Sequence, residues 1–230
     1  MKFILSRNND YKSHSKKWIV GYGFLFWLIT RILAMILMGL CLFLYEKYGI
    51  NPRELTNFGG DPTVTLSSRG LVRAVLMTAI VAPLFEELLF RFGLSFRRMS
   101  VGISAACVAL LYAFSHNKTA TLTVWIISCC IAIVVFCCIY FATKDEFWQQ
   151  KKTIWQIPAI WMSSIAFGLV HLFAFSCLSW TLLPYALVTC LIPFFAGCSC
   201  AYLRVNIGFG WGVAMHIFNN IPGIIIMFCS

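Results

Sequence analysis

Apolar runs longer than the roughly 18 residues that mark a membrane-spanning helix recur along this chain, and that repetition constrains its fold more than any single residue does. A backbone in hydrocarbon must satisfy every N–H and C=O internally, which leaves only helices and closed barrels. The period-two alternation of barrel strands is absent, so the expected fold is all-α, a polytopic transmembrane helical bundle. Composition points the same way: 60% of the 230 residues are hydrophobic and 11% charged, against about 45–50% and about 25% in soluble domains. The net charge of +10 is confined to short segments between the apolar runs. That distribution excludes a nucleic-acid-binding domain and reads as membrane topology.

With Pro, Gly and charge as punctuation, helices are predicted near 18–45, 71–96, 101–117, 119–143, 157–176, 179–203 and 208–229. That makes about seven spans, with six or eight open because the third apolar stretch is short. Placing the N-terminus in the cytoplasm puts 11 Lys and Arg on that side, from Lys2 through Arg97, Arg98, Lys151, Lys152 and Arg204. The opposite side receives four, Lys47, Arg53, Arg69 and Lys118. This is the asymmetry of an N-in, C-out protein, and the cell membrane is the expected location. Residues 1–17 read as a basic cytoplasmic tail and 18–230 as a single membrane domain; residues 46–70 form the only long polar loop. The 11 cysteines lie mostly inside apolar runs, as with Cys129, Cys130, Cys137 and Cys138, and read as small buried apolar residues.

The informative residues are those that a bilayer penalises. Glu86 and Glu87 sit inside the apolar stretch Ala82–Arg91, where a central charge costs roughly 2.5–3.5 kcal/mol on insertion scales. Glu87 and Arg91 are four apart with the acid first, the favourable order for an ion pair, whereas Glu86 points about 100° away around the helix and is left for chemistry. A structural ion-pair network is the plain alternative. His171 late in the fifth span, and His216 and Asn220 on one face of the seventh, add polar groups to the interior. At about 1.5 Å of rise per residue, Glu86, His171, His216 and Asn220 lie about 18, 20, 12 and 18 Å from the cytoplasmic ends of their helices. All four can therefore meet at one level.

In order and residue type, these groups resemble the three motifs of the CPBP intramembrane proteases, also called the CAAX protease and bacteriocin-processing family. Glu86, Glu87 and Arg91 match Glu-Glu-x-x-x-Arg; Phe167 and His171 match Phe-x-x-x-His; His216 and Asn220 match His-x-x-x-Asn. With Gly197 and Ala201-Tyr202-Leu203-Arg204, the resemblance covers about residues 75–222. One departure is the second motif. Family members commonly carry it nearer the first, whereas His171 lies 85 residues after Glu86. Tyr112-Ala113-Phe114-Ser115-His116 offers a degenerate match at the shorter spacing, so His116 is a rival for the role. The complete Phe-Gly-Leu-Val-His match favours His171.

The resemblance implies an intramembrane endopeptidase acting on a membrane-associated or peptide substrate, with membrane lipid its other partner. In such an enzyme Glu86 would activate water, His171 would help hold it, and His216 with Asn220 would face the oxyanion. Glu87 and Arg91 would support Glu86. A second chemistry stays open: Zn2+ held by Glu86, His171 and His216, with water in the fourth position. Family members are linked to prenylated CAAX proteins, bacteriocin processing or self-immunity, so a non-catalytic immunity or binding protein is an alternative, as is a proton- or ion-coupled transporter. Arg31, mid-helix in the first span, could contact substrate but reads rather as a partner for an internal acid or as a snorkelling side chain.

Overall fold

The computed structural model describes residues 15–52, 70–116, 121–175 and 178–229. Most of the basic tail, with His14, lies outside these residues, as do 53–69 of the polar loop and Asn117-Lys118-Thr119. The fold is all-α, with seven helices among the described residues. α1 spans Lys16–Lys47. α2 is built from Leu71–Leu76, a π-helical turn Met77–Val81 and Ala82–Phe90, and a 3-10 turn Phe92–Ser95 leads from it to α3, Arg98–His116. α4 is Leu122–Ala142 and α5 is Asp145–Val170, extended by a 3-10 turn His171–Ala174. α6 is Leu183–Asn206 and α7 is Phe209–Cys229.

Among the described residues, four stretches are long and apolar enough to cross a membrane: Lys16–Lys47, Leu122–Ala142, Asp145–Ala174 and Leu183–Asn206. Arg98–Tyr112 is a shorter apolar helix, in keeping with the short third stretch of the sequence. The chain is an integral membrane protein.

α6 is the hub, packed against α1, α5 and α7. Its Ala196–Ala201 run is wholly buried, and these small side chains let three neighbouring backbones approach closely. α1 closes on α6 through Gly23, where an added Cβ would come within 2.9 Å of Leu203. α6 and α7 are joined only by Ile207 and Gly208, and Gly208 adopts φ +131, a conformation that only glycine takes without strain. That tight connection folds α7 back beside α6. Gly208 therefore makes the turn.

α3 and α4 form a second hairpin, attached through α2. Ser104 pins it, accepting the Gly93 N–H at 2.8 Å and donating to the Leu88 carbonyl at 2.6 Å.

Two expectations need correction. The fifth helix starts at Asp145, well before 157, because the polar stretch after Lys144 is helical too. Asp145 and Glu146 occupy its first turn, where carboxylates favour the helix dipole, and hydropathy is blind to such a polar start. The second concerns the cysteines: Cys129, Cys130 and Cys138 are exposed on α4, whereas Cys107, Cys190, Cys198 and Cys200 are buried. An apolar run places a cysteine in the membrane without saying which face it occupies.

Candidate active site

The polar centre is assembled from α2, α5 and α7, with α6 behind it. It begins at Pro83. In the π turn the Ala82 N–H bonds the Met77 carbonyl, and in that register the Thr78 carbonyl would need the N–H of residue 83, which proline lacks. The orphaned carbonyl accepts the Asn220 Nδ2–H at 3.0 Å, which ties α7 to α2 about two turns before Glu86. An amide NH₂ carries two hydrogens, so the other is left to point elsewhere.

Glu87 and Arg91 are both fully buried, and Arg91 Nη1 lies 2.5 Å from Glu87 Oε1. The same oxygen faces His216 Nδ1 at 3.0 Å, while His216 Nε2 faces Glu86 Oε2 at 3.3 Å. A single buried imidazole thus spans two adjacent carboxylates. With His216 protonated, the four groups Glu86, Glu87, Arg91 and His216 sum to zero charge, which is what a low-dielectric site demands. Glu86 differs from its neighbour in access: its side chain is 29% exposed.

Phe167 explains why a phenylalanine precedes His171 by one turn. It is buried at 2% exposure, and the Arg91 guanidinium lies 4.0 Å from its ring centroid, a cation–π contact strengthened by desolvation. The rings of His171 and His216 pack edge-on to it at 5.1 and 5.3 Å. Gly197 on α6 completes this slot, since a Cβ there would lie 2.7 Å from Arg91 Nη2 and 3.0 Å from Phe167. Gly212 does the same for Glu87, whose Oε2 would sit 3.2 Å from an added Cβ.

His171 Nδ1 lies 2.7 Å from the Phe167 carbonyl. A carbonyl only accepts, so Nδ1 carries the hydrogen, and in the neutral ring Nε2 keeps a lone pair. Glu86 and His216 are its electrostatic neighbours. The His116 side chain lies outside the described residues, but its backbone ends α3. Counting from the Ser104–Leu88 contact, residue 116 is about 15 Å further along the bundle than Glu86, at about 1.5 Å per residue. His171 is the histidine gathered beside His216.

Sequence reasoning missed the Cys200 thiol and the contacts that join Asn219 to Arg31. The Cys200 thiol on α6 faces Glu87 and His216, and the donor atoms of these three buried residues lie within 4.8 Å of one another. Asn219 Oδ1 accepts from Trp27 Nε1 at 3.0 Å and from Arg31 Nη1 at 3.2 Å, and Asn219 Nδ2 donates to Asn220 Oδ1 at 3.2 Å. Among the described residues Arg31 pairs with no acid; it holds an amide next to the third motif. The small-residue run of α6 was the available signal for Cys200, and the mid-span charge was the signal for Arg31.

The Zn2+ reading fits this arrangement poorly. Among the described residues the converging donor set is Glu87, Cys200 and His216, and the set Glu86, His171 and His216 does not close to the same distance. In the converging set, Glu87 Oε1 already carries the Arg91 guanidinium, which would repel a cation.

The family model that matches this chain is that of the Rce1-like type II CAAX prenyl endopeptidases, over residues 68–149. It covers the first motif and is the family that the three motifs resemble. No curated protein and no solved structure matches the chain.

Proposed function

We propose that this chain is an intramembrane endopeptidase of the CAAX-protease type that uses Glu86 as its base and needs no metal. The observation that carries the reading is the His216 imidazole held between Glu86 and the buried Glu87–Arg91 pair. A purely structural ion pair has no use for a second, partly exposed carboxylate on the same imidazole. The family match supports a protease.

In this reading water lies between Glu86 and the bare Nε2 of His171, accepted by both. Glu86 takes one proton as the water oxygen attacks the scissile carbonyl. Once protonated, Glu86 loses its hold on the His216 Nε2–H, which turns to the developing oxyanion. The second Asn220 amide hydrogen is the other donor. Collapse of the tetrahedral species breaks the C–N bond, and Glu86 returns its proton to the leaving amine. Glu87 and Arg91 keep His216 oriented throughout.

The substrate class is a membrane-associated polypeptide. The cationic ends Arg97, Arg98, Lys152 and Arg204 support an N-in orientation in the cell membrane.

The test is a comparison of protein termini in cells expressing wild type or Glu86→Gln at matched membrane levels. Termini dependent on Glu86 are expected and would supply the cleavage sequence. If no terminus depends on Glu86, a transport or immunity role takes the protease's place. Activity of the purified protein is expected to survive strong chelators undiminished, and a loss restored by zinc would overturn the metal-free chemistry.

A further inference from the structure

Where α5 begins, α6 ends and α7 begins, the 3-10 turn after α2 closes a cavity of about 850 Å³. None of Glu86, Glu87, His171, His216 or Asn220 lines it. Its walls include Arg97, Lys152 and Arg204, and Asp145 is its one carboxylate. That carboxylate is already engaged, since Asp145 Oδ1 accepts the Arg98 backbone N–H at 2.7 Å at the start of α3. Among the described residues, Arg97, Lys152 and Arg204 make no ion pair.

Arg204 is held from behind: Nη2 donates to the Phe92 carbonyl at 3.1 Å, and the guanidinium lies 5.6 Å from the rings of both Phe92 and Phe209. Its buried Nε has no hydrogen-bond partner among the described residues. Arg204 also feels Glu87 on its far side, and Arg97 is close enough for the two guanidinium charges to repel. Gly208 and Phe209 also line the cavity, bringing to it the start of α7, where the first N–H groups lack intrahelical acceptors. A polar chamber that keeps like charges together this way is stabilised by an anion. Its position at the ends of three membrane helices sets it at the level of lipid headgroups, where basic pockets between helices select anionic lipids.

We propose that this cavity binds the phosphate headgroup of an anionic membrane phospholipid, through Arg97, Lys152 and Arg204. The phosphate oxygens accept from the two guanidiniums and the ammonium, and the acyl chains lie along the bundle. The proposal stands apart from proteolysis, because the cavity and the Glu86 site share no residue named for the chemistry.

The test uses the full-length protein, purified and delipidated in detergent, titrated with phosphatidylglycerol or phosphatidylcholine and read by native mass spectrometry. Wild type is expected to prefer phosphatidylglycerol by about tenfold or more, and Arg97→Gln with Lys152→Gln to lose that preference. Lys151→Gln, which removes a neighbouring charge outside the cavity, is expected to retain it. Arg97 is exposed, so Arg97→Gln alone serves if the double variant melts early. Equal binding of the two lipids, or an equal loss in Lys151→Gln, would overturn the proposal. Displacement of the lipid by equimolar inorganic phosphate would assign the cavity to a soluble anion instead. Displacement by a peptide with a free terminal carboxylate, but not by its amide, would assign it to substrate.

Discussion

α4 and α6 are helices of similar length, both apolar and both rich in cysteine, yet they occupy opposite positions. α4 is the more apolar, and 11% of its most apolar stretch is buried; in α6 the share is 56%. The α4 cysteines Cys129, Cys130 and Cys138 are exposed, whereas Cys190, Cys198 and Cys200 of α6 are buried. The difference is one of size, not polarity. Inside a bilayer lipid tails are as apolar as leucine, so helices gain nothing by hiding apolar surface from one another and associate through close packing and polar contacts. Ala196-Gly197-Cys198-Ser199-Cys200-Ala201 gives α6 a narrow surface against which α1, α5 and α7 pack. α4 carries its Ile131, Ile133 and Val134 outward.

The contrast can be broken most severely at the centre that α6 backs. Glu87→Gln strands a buried guanidinium, and breaking such a pair costs about 3–5 kcal/mol. The thermal midpoint in detergent, followed by circular dichroism, should fall well below that of wild type. Glu86→Gln, one residue away and partly exposed, should melt within a few degrees of wild type while abolishing cleavage.

Next comes Gly197→Val, which forces Arg91 and Phe167 apart and should cost about 1–3 kcal/mol. The same readout for Ile133→Ala on α4 should change by no more than about 0.5 kcal/mol. A matched pair sharpens the comparison further. Cys200→Leu should destabilise by about 1–3 kcal/mol through overpacking, and Cys130→Leu should be within about 0.5 kcal/mol of wild type. Equal costs at the two cysteines would mean that α4 is buried against something after all.

Of the substitutions expected to destabilise, the smallest effect is expected at Asn219→Ala, which removes the acceptor shared by Trp27 and Arg31. It should cost about 1–2 kcal/mol and lower the turnover rate more than substrate affinity, because Asn219 also holds Asn220. A change in affinity alone would place Arg31 on the substrate.

Much of the site was legible because helical spacing is local. The four-residue step from Glu87 to Arg91 specifies a shared face whatever surrounds it, and the one-residue step to Glu86 specifies a different one. The Phe167–His171 and His216–Asn220 spacings carry the same kind of information. The start of α5 was misjudged because hydropathy does not register a polar helix, although Lys144 followed by Asp145 and Glu146 bears the acidic first turn of one. Nothing in the spacing showed that His216 would reach both carboxylates, that Phe167 would lie under Arg91, or that Asn220 would satisfy Thr78. Each of these contacts joins different helices, and each depends on how the helices are rotated about their axes.

The sequence by itself therefore determined a helical membrane protein, its approximate spans, and which polar side chains share a helix face. These follow from backbone hydrogen bonding in hydrocarbon and from the fixed rise and turn of the helix. Only the tertiary structure decided which faces meet. Interhelical contact in a membrane is a matter of packing at Gly197, Gly212 and the small residues of α6, and of a few polar contacts such as Asn220 to Thr78. That is why two adjacent glutamates, alike in sequence, end with one locked under an arginine and the other open to chemistry.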